Sequence, residues 1–210
     1  MTRLKGSLPA MQRRGLLRRH QRWVLGLLAV GGLLAGLERW WWYQRERSQD
    51  RHILAAAARY GADPALVKAV VWRESRFNPA ARGEAGEVGL MQIGALAARE
   101  WAEAERLPAL AHEDLFDPAK NTLCGAWYLA KLIRRYAHTD NPPAYALADY
   151  NAGRSRVLRW IHGAGQTNSA VFLEQMDFPG TREYVRSILE RRRRYAGTLA
   201  LKTPPAPLPP

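Results

Sequence analysis

Apolar residues recur along this 210-residue chain at helical spacing, and no period-2 alternation of useful length appears. In "DPALVKAVVWRESRF" (63–77), Val67, Val70, Val71 and Glu74 fall at i, i+3, i+4 and i+7, one face of a helix. Leu129, Leu132, Ile133 and Tyr136 continue a face begun by Leu123 and Trp127, and Tyr184, Val185, Ile188 and Leu189 form another. Asp63-Pro64, Asp117-Pro118 and Asn141-Pro142 each place a capping side chain before a proline at the first helical position. The pattern predicts helices over 51–60, 64–77, 92–104, 118–136, 142–151, 154–162, 169–176 and 181–199, an all-α domain without internal repeats. Two Gly-bearing stretches separate them, "RGEAGEVGLMQIG" (82–94) and "DYNAGRSRV" (149–157). A loop as long as the first usually carries function in a compact domain.

The N-terminus is patterned differently. Residues 23–37, "WVLGLLAVGGLLAGL", hold no charge over fifteen positions. That is short of the roughly 20 a spanning helix needs, and it is a length a cleaved signal peptide shows. However, no small-x-small cleavage site follows cleanly, and "WWWY" (40–43) resembles an interfacial aromatic belt beside which Arg39 can snorkel. Counting 23–43 as the span gives 21 residues. The expectation is an uncleaved single-pass anchor. Residues 1–22 then stay in the cytoplasm by the positive-inside rule, with the rest of the chain outside. A cleaved signal and a buried soluble helix are the alternatives. Residues 44–50, "QRERSQD", read as a polar stalk, 51–199 as the folded domain and 200–210 as a Pro-rich, extended tail.

Net charge is +13. Residues 1–22 hold seven Lys/Arg and no acid, which leaves 25 bases against 19 acids beyond them. A basic balance suits nucleic acid, an anionic membrane or an anionic wall polymer, and by itself does not choose. Without aromatic–basic interleaving over a surface, nucleic acid is not the expected partner. Cys124 is the one cysteine, so no intrachain disulfide and no Cys/His metal cluster can be drawn. Within an apolar helical pattern it reads as a small buried hydrophobe. Neither a metal nor a cofactor is expected.

Glu74 is the anomaly. Lys68, Arg73 and Arg76 place charge off the stripe on which it sits. A carboxylate there is a structural ion pair, a backbone cap, or a general acid whose pKa burial has raised. Its helix runs into the Gly-bearing loop with "GLMQI" (89–93), and "YNAG" (150–153) offers a phenol and an amide. One acid among neutral hydrogen-bonders and aromatic rings suits an uncharged sugar polymer better than a phosphate.

Taken together, "ESRFNPAA" (74–81), "GLMQI" (89–93), "LFDPAKNTLCGAWYLAKLIRRY" (115–136), "ALADYNAGRSRV" (146–157) and "TREYV" (181–185) resemble the ordered motifs of the lytic transglycosylase domain with a goose-type-lysozyme-like fold. The resemblance runs from about residue 52 to 195. It implies cleavage of the β-1,4 bond between N-acetylmuramic acid and N-acetylglucosamine in peptidoglycan, with a 1,6-anhydro ring on the product. With the anchor expected at 23–43, the domain would lie in the periplasm on the inner membrane. Glu74 matches the single catalytic glutamate, acid first and base second. Ser75 follows it in the Glu-Ser pair. Met91 and Gln92 match the cleft-lining pair, with Gln92 as a hydrogen-bonder to sugar. Tyr150 and Asn151 match the tyrosine-asparagine pair near the acid, and Tyr150 is the residue expected to orient Glu74.

This sequence departs from the family pattern in three places. "GALAA" (94–98) stands where a proline and threonine usually start the next helix. Asp149 occupies a position where a small apolar residue is usual, and Gly180 stands where a cleft-facing glutamate often precedes "TR". Two other readings stay open. A muramidase that adds water needs a second carboxylate, for which Asp149, Glu84 and Glu87 are candidates. A non-catalytic wall-binding scaffold would keep the fold alone.

Overall fold

The computed structural model describes residues 10–199, with only the backbone given for residues 10–22 and Val24. The side chains of the basic segment 1–22 and the Pro-rich tail 200–210 therefore lie outside the described residues. The chain forms two compact units, residues up to 45 and residues from 46 on.

The described residues of the first unit belong to one helix, α1 (Ala10–Arg47). Its side chains from Leu25 to Tyr43 are exposed, among them Leu27, Leu28, Leu33, Leu34 and Trp40. Trp41 and Trp42 meet edge to face at 4.9 Å, with the Arg45 guanidinium 5.0 and 5.7 Å from their rings. Among the described residues no helix is long and apolar enough to cross a membrane. Val24, inside the expected 23–43 span, is outside the described side chains.

In the second unit the expected helices form as α2 (Asp50–Tyr60), α3 (Pro64–Ser75), α4 (Ala95–Ala104), α5 (Pro118–Arg135), α6 (Pro142–Ala152), α7 (Arg154–Trp160), α8 (Ser169–Gln175) and α9 (Pro179–Leu199). Short 3-10 turns cover His112–Phe116 and Gly163–Gln166. Among the described residues only isolated bridges, Arg82 with Val88 and Val88 with Ile93, represent β structure. Two of the three expected caps form: Asp63 accepts from the Ala65 amide and Asp117 from the Lys120 amide, each at 2.8 Å. Asn141 does not cap α6 through its side chain. The expected helix over 92–104 starts only at Ala95, because Gln92 takes a left-handed turn conformation at φ 50°.

α3 carries Glu74. It packs against α2 and α9, while α5 bridges α2 and α6. Ala65, Leu66, Val67, Ala69, Val70 and Val71 are all buried, so α3 is apolar around most of its circumference rather than along one stripe. Lys68 is a correction to the expected placement of charge. It is 4% exposed, and its Nζ donates to Asp50 at 2.6 Å. Asp50 is itself buried at the start of α2. Residues up to Arg47 complete α1, and Tyr195 of α9 hydrogen-bonds Glu46. A buried pair of this kind adds little net stability when intact, but losing one partner costs about 3–5 kcal/mol.

Candidate active site

Glu74 lies in the last turn of α3, where the chain turns sharply. Arg76 and Phe77 follow with φ of 51° and 62°, two successive left-handed residues without glycine's freedom. The buried Phe77 ring and the bond from the Arg76 amide to the Trp72 carbonyl fix this ending. The turn sends the chain into the 82–94 loop, and a cleft of about 400 Å³ opens between them. Glu74, Glu87, Gln92, Leu96, Tyr128, Tyr150 and Asn151 line it.

The loop forming one wall is built like core. Val88, Leu90, Met91 and Ile93 are all buried. Asn121 of α5, wholly buried, ties it down: its Oδ1 accepts from the Met91 amide at 2.8 Å, and its Nδ2 donates to the carbonyls of Val88 (2.9 Å) and Leu115 (2.7 Å). Gly89 has φ 76°, and a Cβ there would come within 2.2 Å of the Asn121 amide nitrogen, so only glycine fits.

Glu74 is partly buried, and its carboxyl is pushed up to about 7. The main cause is burial, which penalises the charged form. The Tyr184 hydroxyl, which donates to Glu74 Oε1 at 2.5 Å, pulls the other way, as does the Arg73 guanidinium. Glu87 adds a like charge that raises it further. A position at the C-terminal end of α3, the negative pole of the helix dipole, works in the same direction as burial. The phenols of Tyr150 and Tyr184 are held well above their ordinary value, chiefly by burial, so both stay neutral donors.

The structure brings some expected residues together and not others. Gln92, Tyr150 and Asn151 line the cleft with Glu74. The Gln92 amide nitrogen donates to the carbonyls of Ala81 (3.2 Å) and Gly89 (2.9 Å), which uses both its hydrogens and leaves its oxygen as an acceptor. Asn151 Oδ1 accepts from the Thr181 hydroxyl at 2.8 Å. Met91 does not line the cleft. It is wholly buried, and a Cβ on Gly125 would come within 2.2 Å of its sulfur, so it packs on that glycine. Ser75 is buried too, and its hydroxyl donates back to the Val71 carbonyl at 3.1 Å. Tyr150 does not hydrogen-bond Glu74: its hydroxyl donates to the Met91 carbonyl at 2.7 Å and braces the loop. The phenol that holds Glu74 is Tyr184 of α9, an apolar-face position in the sequence.

Asp149 is not open to substrate or water. It is 3% exposed and accepts from Arg135 Nη1 and the Tyr136 hydroxyl, each at 2.7 Å. Gly94 precedes α4 without a side-chain cap, and a Cβ on Gly180 would meet nothing within 4 Å. Cys124 is fully buried and its thiol is pushed up to about 12 by burial, which leaves it inert.

Known proteins bear on this geometry. The "Transglycosylase SLT domain" family matches residues 51–173. A putative soluble lytic murein transglycosylase of Haemophilus influenzae is 33% identical over 136 residues, covering 64% of this chain and 22% of that protein. Membrane-bound lytic murein transglycosylase C of Klebsiella pneumoniae is 40% identical over 127 residues, covering 58% of this chain and 35% of that protein. Among solved structures, an inactive mutant of the lytic transglycosylase Slt of Pseudomonas aeruginosa superposes with TM-score 0.65 at 27% identity, covering 71% of this chain and 24% of that chain. The chain thus spans about a fifth to a third of the length of these relatives. The helical scaffold is that of the lysozyme-like lytic transglycosylases, and the chain belongs to the transglycosylase SLT domain family.

Proposed function

We propose that this protein is a peptidoglycan lytic transglycosylase that cleaves the β-1,4 bond between N-acetylmuramic acid and N-acetylglucosamine, with Glu74 as acid and then base. The observation that carries this is Glu74 itself: a carboxyl pushed up to about 7, in a cleft lined besides by neutral hydrogen-bonders, aromatic rings, aliphatic side chains and Glu87. Protonated Glu74 gives its proton to the leaving glycosidic oxygen as that bond breaks. The muramic C6 hydroxyl then forms a bond to C1, and the Glu74 carboxylate takes its proton. The product carries a 1,6-anhydro ring, no water is consumed, and the enzyme returns to its starting state. A group that gives and then takes a proton works best with a pKa near the working pH. The nucleophile is part of the substrate and already at high effective concentration, so a second, nucleophilic carboxylate is unnecessary.

Gln92 Oε1 and Asn151 are positioned in the cleft to contact sugar, and Tyr150 to pack beside it while bracing the loop. Residues 23–43 serve as a single-pass anchor in the inner membrane, with the domain in the periplasm. The aromatic cluster at 40–43 and the exposed leucines of α1 support that reading. Full-length protein that washes out of membranes in alkaline carbonate would overturn the anchor.

Hydrolysis by a muramidase has one observation in its favour, the second cleft carboxylate of Glu87. Asp149, locked in its ion pair, no longer supports it. Digestion of purified sacculi by the full-length protein separates the two. Released muropeptides one water lighter than hydrolysis products, absent with Glu74→Gln, support the transglycosylase. Products with reducing ends overturn it.

A further inference from the structure

Glu87 departs from an otherwise neutral sugar cleft, and nothing in the reaction above uses it. Its surroundings show that its place is built. Glu87 Oε2 accepts from the Ala85 amide at 3.2 Å, and the Gly83 amide donates to the Glu87 carbonyl at 2.8 Å. A Cβ on Gly83 would come within 2.3 Å of Glu87 Oε2 and 2.8 Å of Gln92 Oε1. Both oxygens thus lie close over the bare glycine of the loop. Glu87 has no ion-pair partner among the described residues. Its charge is left to act on whatever shares the cleft.

We propose that Glu87 is a positioning residue of the glycan site, a fixed second negative charge that acts on the reaction through Glu74. The inference rests on the lytic transglycosylase reading above. Four groups face Glu74 from the elements around it: Arg73 of its own helix, Tyr184 of α9, Tyr150 of α6 and Glu87 of the loop. The two phenols are neutral. Arg73 favours the ionised carboxyl and Glu87, more weakly, the protonated one, so Glu87 offsets part of the pull of Arg73. The effect keeps the proton that the first step needs on Glu74 to higher pH. The same negative charge suits the positive charge that develops at C1 as the glycosidic bond breaks.

The test uses full-length protein in detergent micelles, carrying Glu87→Gln or Glu87→Asp. Carbon-13-labelled glutamate gives the titration of the Glu74 carboxyl directly, assigned by its disappearance in Glu74→Gln. The Gln variant is expected to lower the Glu74 midpoint by about half a pH unit, with Asp restoring most of it. The alkaline limb of kcat/KM on sacculi should move down by the same amount, a loss of about threefold above neutrality. An unchanged Glu74 midpoint in Glu87→Gln overturns the inference, whatever the activity. So does a fall in activity at all pH values alike. The carboxyl titration needs no turnover, so a protein that releases no muropeptides refutes the proposed function without deciding this point.

Discussion

The hydroxyl of Tyr184 donates to the carboxyl of Glu74 across 110 residues of chain, joining α9 to the end of α3 beside the cleft. Burial drives the Glu74 proton on, and this phenol limits how far. Replacing Tyr184 by Phe removes a bond that favours the ionised form. The Glu74 pKa should then rise above about 7, and the alkaline limb of kcat/KM should move to higher pH. A loss of activity of about tenfold from poorer orientation should accompany it. A limb that moves to lower pH would show that Tyr184 acts otherwise.

The pH profile of the wild type follows from the same balance. Glu74 must begin protonated, so kcat/KM should be level on the acid side of about 7 and fall about tenfold per pH unit above it. A limb governed by a carboxyl with an ordinary pKa near 4 would mean that burial does not control this group.

Stability should show the cost of the site. The folded pKa of Glu74 is raised above its unfolded value, so the folded state binds the extra proton between the two. The penalty is absent below the unfolded pKa, grows as pH rises from there, and is complete above about 7. Glu74→Gln should thus be more stable than the wild type by about 2 kcal/mol at pH 8 and indistinguishable from it at pH 4. Denaturant unfolding at the two pH values measures the difference. Equal stability at both would contradict the buried-acid assignment.

Asn121 carries a structural load with no exposed atom. Its three bonds fix Met91, Val88 and Leu115, and through them the loop that forms the wall opposite Glu74. Asn121→Ala takes the side-chain partner from the Met91 amide and the Leu115 carbonyl in the core, while the Val88 carbonyl keeps the Ile93 amide, and a loss of about 2–4 kcal/mol is expected in thermal unfolding. Activity should fall with it, because Gln92 and Glu87 ride on the same loop. A change within about 0.5 kcal/mol would mean the loop holds itself.

The helices were legible because their signals are local. Asp63-Pro64 and Asp117-Pro118 start α3 and α5 where the sequence places them. The reading of α3 as one apolar stripe was too narrow: the helix is buried nearly all round, and Lys68, which looked like surface charge, is neutralised by Asp50 from another helix. Pairing of that kind is tertiary and leaves no periodic trace. Glu74 stood out regardless, since a carboxylate beside Val67, Val70 and Val71 is anomalous under any packing. Its partner did not. Tyr150 and Tyr184 both carry a phenol near a motif, and which one reaches Glu74 depends on how α6 and α9 lie against α3. Ser75 and Met91 sit beside functional positions in the chain, yet point into the core. Glu87 was visible only as one of three spare carboxylates, and the cleft is what sets it apart from the locked Asp149.

The central claim is that the nucleophile lies inside the substrate. Digesting sacculi with the full-length protein in water enriched in heavy oxygen tests it directly. The account predicts anhydro-muropeptides whose new ends carry no heavy oxygen, and none released by Glu74→Gln. Heavy oxygen at C1 of the released muramic ends would show that water is the nucleophile and would contradict the account.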